Sequence, residues 1–172
     1  MTIPVLETER LILRAPSIED HARECLFYAD AEHARFVGGA KSAFDCWGII
    51  AGRLGHWQIK GYGFWHLDER ASGRYVGRVG LIEPYGWPER EIGWSLMPDA
   101  LGHGYATEAA LAVRDYAYGV LGWTTAISLI DPGNAASEAV ATRIGAQFER
   151  LHEHPEFGPM YIWRHPAPEA LK

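Results

Sequence analysis

Residues 101–110 read LGHGYATEAA, two glycines on either side of one residue followed at once by helix formers. That is the pattern of a bare-backbone turn running into a helix N-terminus. The unpaired N–H groups of such a first turn, together with the positive end of the helix dipole, form a cradle for phosphate. Gly102 and Gly104 remove the side chains that would hold a ligand away. Directly upstream, Glu91–Met97 (EIGWSLM) reads as a strand closed by Pro98 and Asp99. Directly downstream, Ala106, Ala109, Ala110, Val113, Tyr116 and Ala117 fall on one helix stripe, small enough to pack closely on a sheet. Thr124–Ile130 is a largely apolar run suited to a buried strand. Strand, crossover helix and parallel strand are therefore predicted for residues 90–130, and the rest of the chain is read around them.

Working upstream, Arg10–Ala15 alternates as a short strand ended by Pro16. Ser17 and Asp20 form an SxxD capping box, opening a helix with Ala22, Leu26 and Ala29 at helical spacing. Gly38 and Gly39 break that pattern. A second helix is predicted from Phe44 to Ile59, with Trp47, Ile50, Leu54 and Trp57 three or four residues apart. Strand signals at Gly63–Leu67, Arg74–Ile82 and Arg90–Met97, with turns at 68–73 and 84–88, predict an antiparallel meander. Gly93 inside the last of these is a bulge candidate. Working downstream, residues 131–133 make a turn and Asn134 can cap a last helix reaching Ile144, with Gly145 as terminator. Strands at Gln147–His152 and Met160–Arg164 complete a single domain over residues 1–172.

Composition narrows the function classes. With 172 residues, 48% hydrophobic and 22% charged, the chain has ordinary globular usage. It holds no apolar run long enough for a bilayer, and its start lacks the flank and core of a signal peptide, so a cytoplasmic location is expected. Cys25 and Cys46 form no CxxC pair and are too few for a structural zinc site. A formal charge of −6 argues against nucleic-acid binding and is compatible with an amine-bearing partner. His152 and His154 alternate on one strand face, but two ligands without a third read as packed or solvated histidines rather than a metal site. GxG before a helix also opens the dinucleotide fingerprint; here Thr107 occupies the third glycine position, and a P-loop lysine is absent.

The opening ETERLILRAP, the block EIGWSLMPDALGHGYATEA and the run SLIDPGNAASEAVATRIGA, in this element order, resemble the GNAT superfamily of acetyl-coenzyme A dependent N-acetyltransferases. Within it the chain looks like the branch of ribosomal-protein N-terminal alanine acetyltransferases. The resemblance covers nearly the whole sequence. It implies an α+β (mixed α/β) acyl-CoA N-acyltransferase fold, with a mostly antiparallel twisted sheet of about six to seven strands flanked by about four helices. It further implies acetyl-coenzyme A as donor and no metal, with acetyl transfer to a primary amine of a protein N-terminus or a small molecule. Direct attack in a ternary complex, without nucleic acid or membrane, by a monomer or homodimer completes the expectation. The coenzyme contacts it implies are Ser95, Leu96, Leu101, Gly102, His103, Gly104, Tyr105, Ala106, Thr107, Asn134 and Ser137. The family loop runs Arg or Gln, two residues, Gly, one residue, then Gly or Ala. Leu101, Gly104 and Ala106 stand in those slots, so the first departs from the pattern while the backbone amides are kept.

Acetyl transfer needs a neutral amine, yet reference pKa values are about 10.4 for lysine and about 8 for an α-amino group. Something must take the proton, directly or through water. The resemblance places Glu91 on the strand bordering the acceptor site, as the candidate base; its alternative is a solvated carboxylate beside Glu89 and Arg90. A backbone N–H near Leu96, freed at a bulge, is the implied donor to the developing oxyanion. Ser137 reads either as a hydroxyl near the sulfur or as a helix-start serine bonded to local backbone. Trp47, Trp57 and Trp87 are candidate walls of an acceptor pocket. A noncatalytic acyl-CoA binding or sensing module would share every cofactor residue and lack only the proton-handling groups.

Overall fold

A computed structural model describes residues 2–171. Its frame is the predicted meander: β3 (Phe64–Glu69), β4 (Tyr75–Ile82) and β5 (Glu91–Leu96) pair antiparallel in sequence order. Ahead of them β1 (Leu6–Glu7) and β2 (Leu11–Arg14) continue the antiparallel run. Beyond β5 the direction changes, because α4 (Tyr105–Gly119) carries the chain back so that β6 (Ile127–Ile130) lies parallel to β5. β8 (Gly158–Arg164) then pairs with β6, and β7 (Gln147–His154) closes the far edge of an eight-stranded sheet ordered β1-β2-β3-β4-β5-β6-β8-β7.

The described residues hold eight strands and five helices, one of each more than the sequence showed. The extra strand is β1, two residues long, and the extra helix is α2 (Ala31–Ala34), a single turn capped by the Asp30 carboxylate. Neither is long enough to carry a periodic signal. The other helices are α1 (His21–Ala29), α3 (Ala43–Lys60) and α5 (Ala135–Arg143).

Neighbouring strands sort their side chains to two faces. Trp65 and its partner Val79 are fully buried, and Trp65 meets Tyr116 of α4 edge-on at 5.3 Å. Ala106, Ala109, Ala110, Val113 and Ala117 are the buried stripe of α4, as their spacing predicts. One residue along, His66 and Arg78 project to the opposite face, under α1 and α3. That face is ionic. Glu24 of α1 accepts from Arg53, Arg78 and the Tyr75 hydroxyl. Burial opposes its ionisation, but Arg78 and Arg53 outweigh burial and hold its carboxyl at about 2.

This ionic layer explains three corrections. The proposed capping box does not form: Ser17 accepts from the Glu19 N–H, while Asp20 turns inward to Arg14 and His66. Leu26 is exposed, since α1 buries Glu24, Phe27 and Tyr28 instead. On α3 the buried stripe is Cys46, Ile50, Arg53 and Trp57, leaving Trp47 and Leu54 outside. Gly93 is not a bulge either; it pairs in register with Gly80, and the register shifts lie at Leu67/Asp68 and Phe148/Arg150. A Cβ at Gly93 would sit 3.3 Å from the tip of the Phe64 ring and 3.5 Å from the Glu91 carboxylate, so a side chain there would press on the Phe64 ring.

Candidate active site

β5 and β6 share one bridge, Glu91 with Ile127, and then part. At the fork the Ser128 hydroxyl donates to the Ile92 carbonyl at 2.7 Å and accepts from His165 at 3.0 Å. Farther along β5 the Leu96 carbonyl accepts from His33 at 2.9 Å. In an antiparallel ladder, alternate residues direct their N–H and C=O groups to opposite sides. Ile92 and Leu96 direct theirs away from β4, so Trp94 between them does the same. The cleft edge of β5 thus presents backbone groups of Trp94 and Leu96. The Trp94 groups and the Leu96 N–H are left open because β6 diverges, not because of a bulge, while the Leu96 carbonyl is taken by His33.

Two adjoining cavities occupy the fork, of about 470 and 400 Å³. Phe36, Trp94, Ser95, Asn134 and Ser137 line both. The smaller one reaches Leu96, Leu101 and Ala106; the larger reaches Glu91 and Trp87. A continuous wall therefore follows β5 from the glycine loop to the buried carboxylate.

The loop is built as its sequence suggests. Gly102 and Gly104 have φ of 81° and 79°, the left-handed region, and Gly104 is the N-cap of α4 with no side chain over the helix end. A brace that sequence reasoning missed fixes it. Arg10 donates to the His103 carbonyl at 2.8 Å and pairs with Glu108 in the first turn of α4, and the Thr8 hydroxyl also donates to Glu108. Position could mark Arg10 and Thr8 in the ETER opening, but nothing in the sequence pairs them with a residue about a hundred positions on. Leu101, which departs from the loop pattern, is 53% exposed on the wall of the smaller cavity. His103 is exposed and stacks on Tyr105, whose hydroxyl donates to Glu69. Gly102, His103, Gly104, Tyr105 and Thr107 belong to the loop and first turn without lining either cavity, which of this stretch only Leu101 and Ala106 reach.

Glu91 is 6% exposed, which removes the solvated reading. Trp87 Nε1 donates to one carboxylate oxygen at 2.5 Å, and the Leu129 N–H to the other at 3.3 Å. Burial pushes the carboxyl up to about 7, more than these two donors pull it down. Its neighbour Glu89 takes the surface role instead, paired with Arg164 at 2.6 Å. Asn134 accepts from the Ser137 N–H at 3.1 Å, so it caps α5 and faces both cavities at once.

The three tryptophans separate. Trp87 lines the larger cavity. Trp57 does not; it is 1% exposed in the core, donates to the Phe64 carbonyl at 2.8 Å and meets Trp65 edge-on. Trp47 stands on an outer groove with Phe44 and Lys41, away from the fork. Reading both as pocket walls mistook which face of α3 turns inward.

Known proteins share this sequence family and this fold. The sequence profile of the acetyltransferase (GNAT) domain matches residues 10–147. The crystal structure of an acetyltransferase from Agrobacterium tumefaciens is 34% identical, covers 96% of each chain and superposes with a TM-score of 0.87. The YkkB protein of Bacillus subtilis (strain 168) is 35% identical over 95 residues, 53% of this chain and 55% of that one. At 16% identity, RimL, a ribosomal L7/L12 alpha-N-protein acetyltransferase solved in complex with coenzyme A, shares the fold with a TM-score of 0.77 over 94% of this chain and 97% of its own.

Proposed function

From the premise that the chain belongs to the GNAT acetyltransferase family, as the match over residues 10–147 shows, we propose that it moves an acetyl group from acetyl-coenzyme A to a primary amine. Glu91 is the group that takes the amine's proton. The observation carrying this reading is a buried carboxylate, Glu91, at the closed end of a cleft that runs along β5 to Leu101 and Ala106 beside the glycine loop.

The residues present fit the coenzyme. Open space surrounds Gly102, and only the tip of Arg10 approaches Gly104, so the loop amides and first-turn N–H groups of α4 are accessible to a diphosphate. The open edge of β5, the Trp94 backbone groups and the Leu96 N–H, suits the amides of a pantetheine arm. Bound there, acetyl-coenzyme A would supply a thioester carbonyl as electrophile. Glu91 accepts a proton from the amine, directly or through one water. The N–H groups on the cleft edge of β5 meet negative charge building on the acyl oxygen. Ser137, on the wall common to both cavities, serves as the hydroxyl that protonates or hydrogen-bonds the departing sulfur. α5 carries no tyrosine, so Ser137 or water has to serve as that acid.

The test is release of free thiol from acetyl-coenzyme A over a panel of amines, with product mass. Amine-dependent release with an acetylated product is expected. Tight coenzyme binding with no release on any amine would overturn the reading in favour of a noncatalytic acyl-CoA module.

A further inference from the structure

The larger cavity has an unusual pairing of wall chemistries. Around Glu91 it is lined by the rings of Phe36, Phe64, Trp87 and Phe157, with Met160. Three carboxylates line it, Glu91, Asp131 and Glu156, against one cation among the described residues, Arg35. That cation is already engaged: its guanidinium pairs with Glu32 and lies 4.3 Å over the Phe36 ring. The cavity therefore offers a carboxylate no cation that is not already shared with Glu32.

The aromatic wall is organised from the base outward. Trp87 is held by its hydrogen bond to Glu91. Phe157 meets Trp87 edge-on at 5.7 Å, and the buried His154 ring touches both, at 5.0 Å from Trp87 and 4.7 Å from Phe157. Phe157 sits at the tip of the β7–β8 hairpin and is 52% exposed, a large apolar side chain with half its surface unused. Protonated amines are attracted both by net negative walls and by ring faces. A volume of about 470 Å³ lies within the range of small-molecule sites.

We propose that the acceptor is a small primary amine joined through a short alkyl link to an apolar or aromatic body, with no carboxylate beside the nitrogen. Phe157 and Glu156 at the hairpin tip are its specificity-determining residues. The ring body packs against Trp87 and Phe157, and the ammonium is drawn by the carboxylates toward Glu91. A free amino acid with the same ring is disfavoured because its carboxylate meets a wall in which Asp131 and Glu156 outnumber Arg35, itself shared with Glu32. This rests on the reading of Glu91 as the base.

The experiment compares three acceptors of one ring size, 2-phenylethylamine, phenylalanine and phenylalaninamide, by kcat/KM for thiol release. Phenylethylamine and phenylalaninamide are expected to exceed phenylalanine by about a hundredfold, and ethylamine to fall well below both. Phe157→Ala should raise KM for phenylethylamine more than it lowers kcat. Glu156→Arg should narrow the preference over phenylalanine by roughly tenfold or more. Turnover with phenylalanine or ethylamine equal to phenylethylamine would overturn the substrate class and leave the acetyltransferase reading standing. No thiol release on any of these four, with release on other amines of the panel, would overturn the substrate class alone; no release on the whole panel, with coenzyme bound, would overturn both.

Discussion

Replacing Glu91 by glutamine preserves side-chain shape and an acceptor for Trp87 but removes the proton acceptor. With its carboxyl at about 7, the parent should show kcat/KM rising tenfold per pH unit below that point and level above it, as the base becomes ionised. An acceptor with a pKa of about 10.4 is neutral in about one molecule in 250 at pH 8. Glu91→Gln can use only that fraction, so its kcat/KM should rise tenfold per unit without a break until the amine itself titrates. The parent-to-mutant ratio is then flat below about pH 7 and shrinks by about a hundredfold between pH 7 and 9. Steady-state rates from pH 5.5 to 9.5 with a coenzyme-saturated enzyme measure it. A mutant profile parallel to the parent's would reject Glu91 as base.

The same substitution has a second, opposite readout. The folded pKa of Glu91 lies above its ordinary 4.5, so ionised Glu91 destabilises the fold: the penalty is nearly absent below 4.5, grows as pH rises toward about 7, and is full above that. Between pH 5 and 8 it grows by about 2.5 kcal/mol. Glutamine carries no such penalty. Any fixed cost of facing the Leu129 N–H with an amide cancels when the two pH values are compared. Urea unfolding should therefore show Glu91→Gln gaining on the parent between pH 5 and 8. Loss of activity with a pH-dependent gain in stability is the signature of a strained ionisable group, and an unchanged stability difference would refute the burial account.

Gly104→Val puts a β-branched residue at φ 79° under the Arg10 guanidinium, 3.5 Å from its Nη2. Coenzyme affinity by calorimetry should fall by roughly tenfold or more while circular dichroism stays native; unchanged affinity in a folded protein would remove the loop as the phosphate site. Trp57→Ala should cost about 3–5 kcal/mol of stability, as for other buried large-to-small changes, with the KM of the acceptor unchanged where the protein remains folded. Trp47→Ala, on the outer groove, should alter stability by less than about 0.5 kcal/mol and leave amine kinetics alone. An acceptor KM raised by either would return that tryptophan to the pocket wall.

The parts of this molecule legible in its sequence are those set by neighbours along the chain. The strand, glycine loop and helix at 91–119, the Asn134 cap and the meander each depend on spacing or on a turn residue within a few positions. Trp57 and Trp47 show where such reasoning stops, because both obey helical spacing and only tertiary packing, with Arg53 turned inward to Glu24, decides which faces the sheet. Glu91 shows it more sharply. Its position on the strand was readable, but its raised pKa is the work of burial among Trp87, Phe64 and Leu129, contributed by three other segments. Trp87 joins the two halves of the site: it donates to the carboxylate that takes the proton and forms the ring wall that Phe157 extends. Base strength and acceptor preference are thereby coupled through one indole. Truncating Trp87 would strip a donor from Glu91 and admit water to it; because burial is the larger influence on that carboxyl, a new acceptor specificity reached at that position should arrive with the pH inflection moved down, whereas one reached at Phe157 should not.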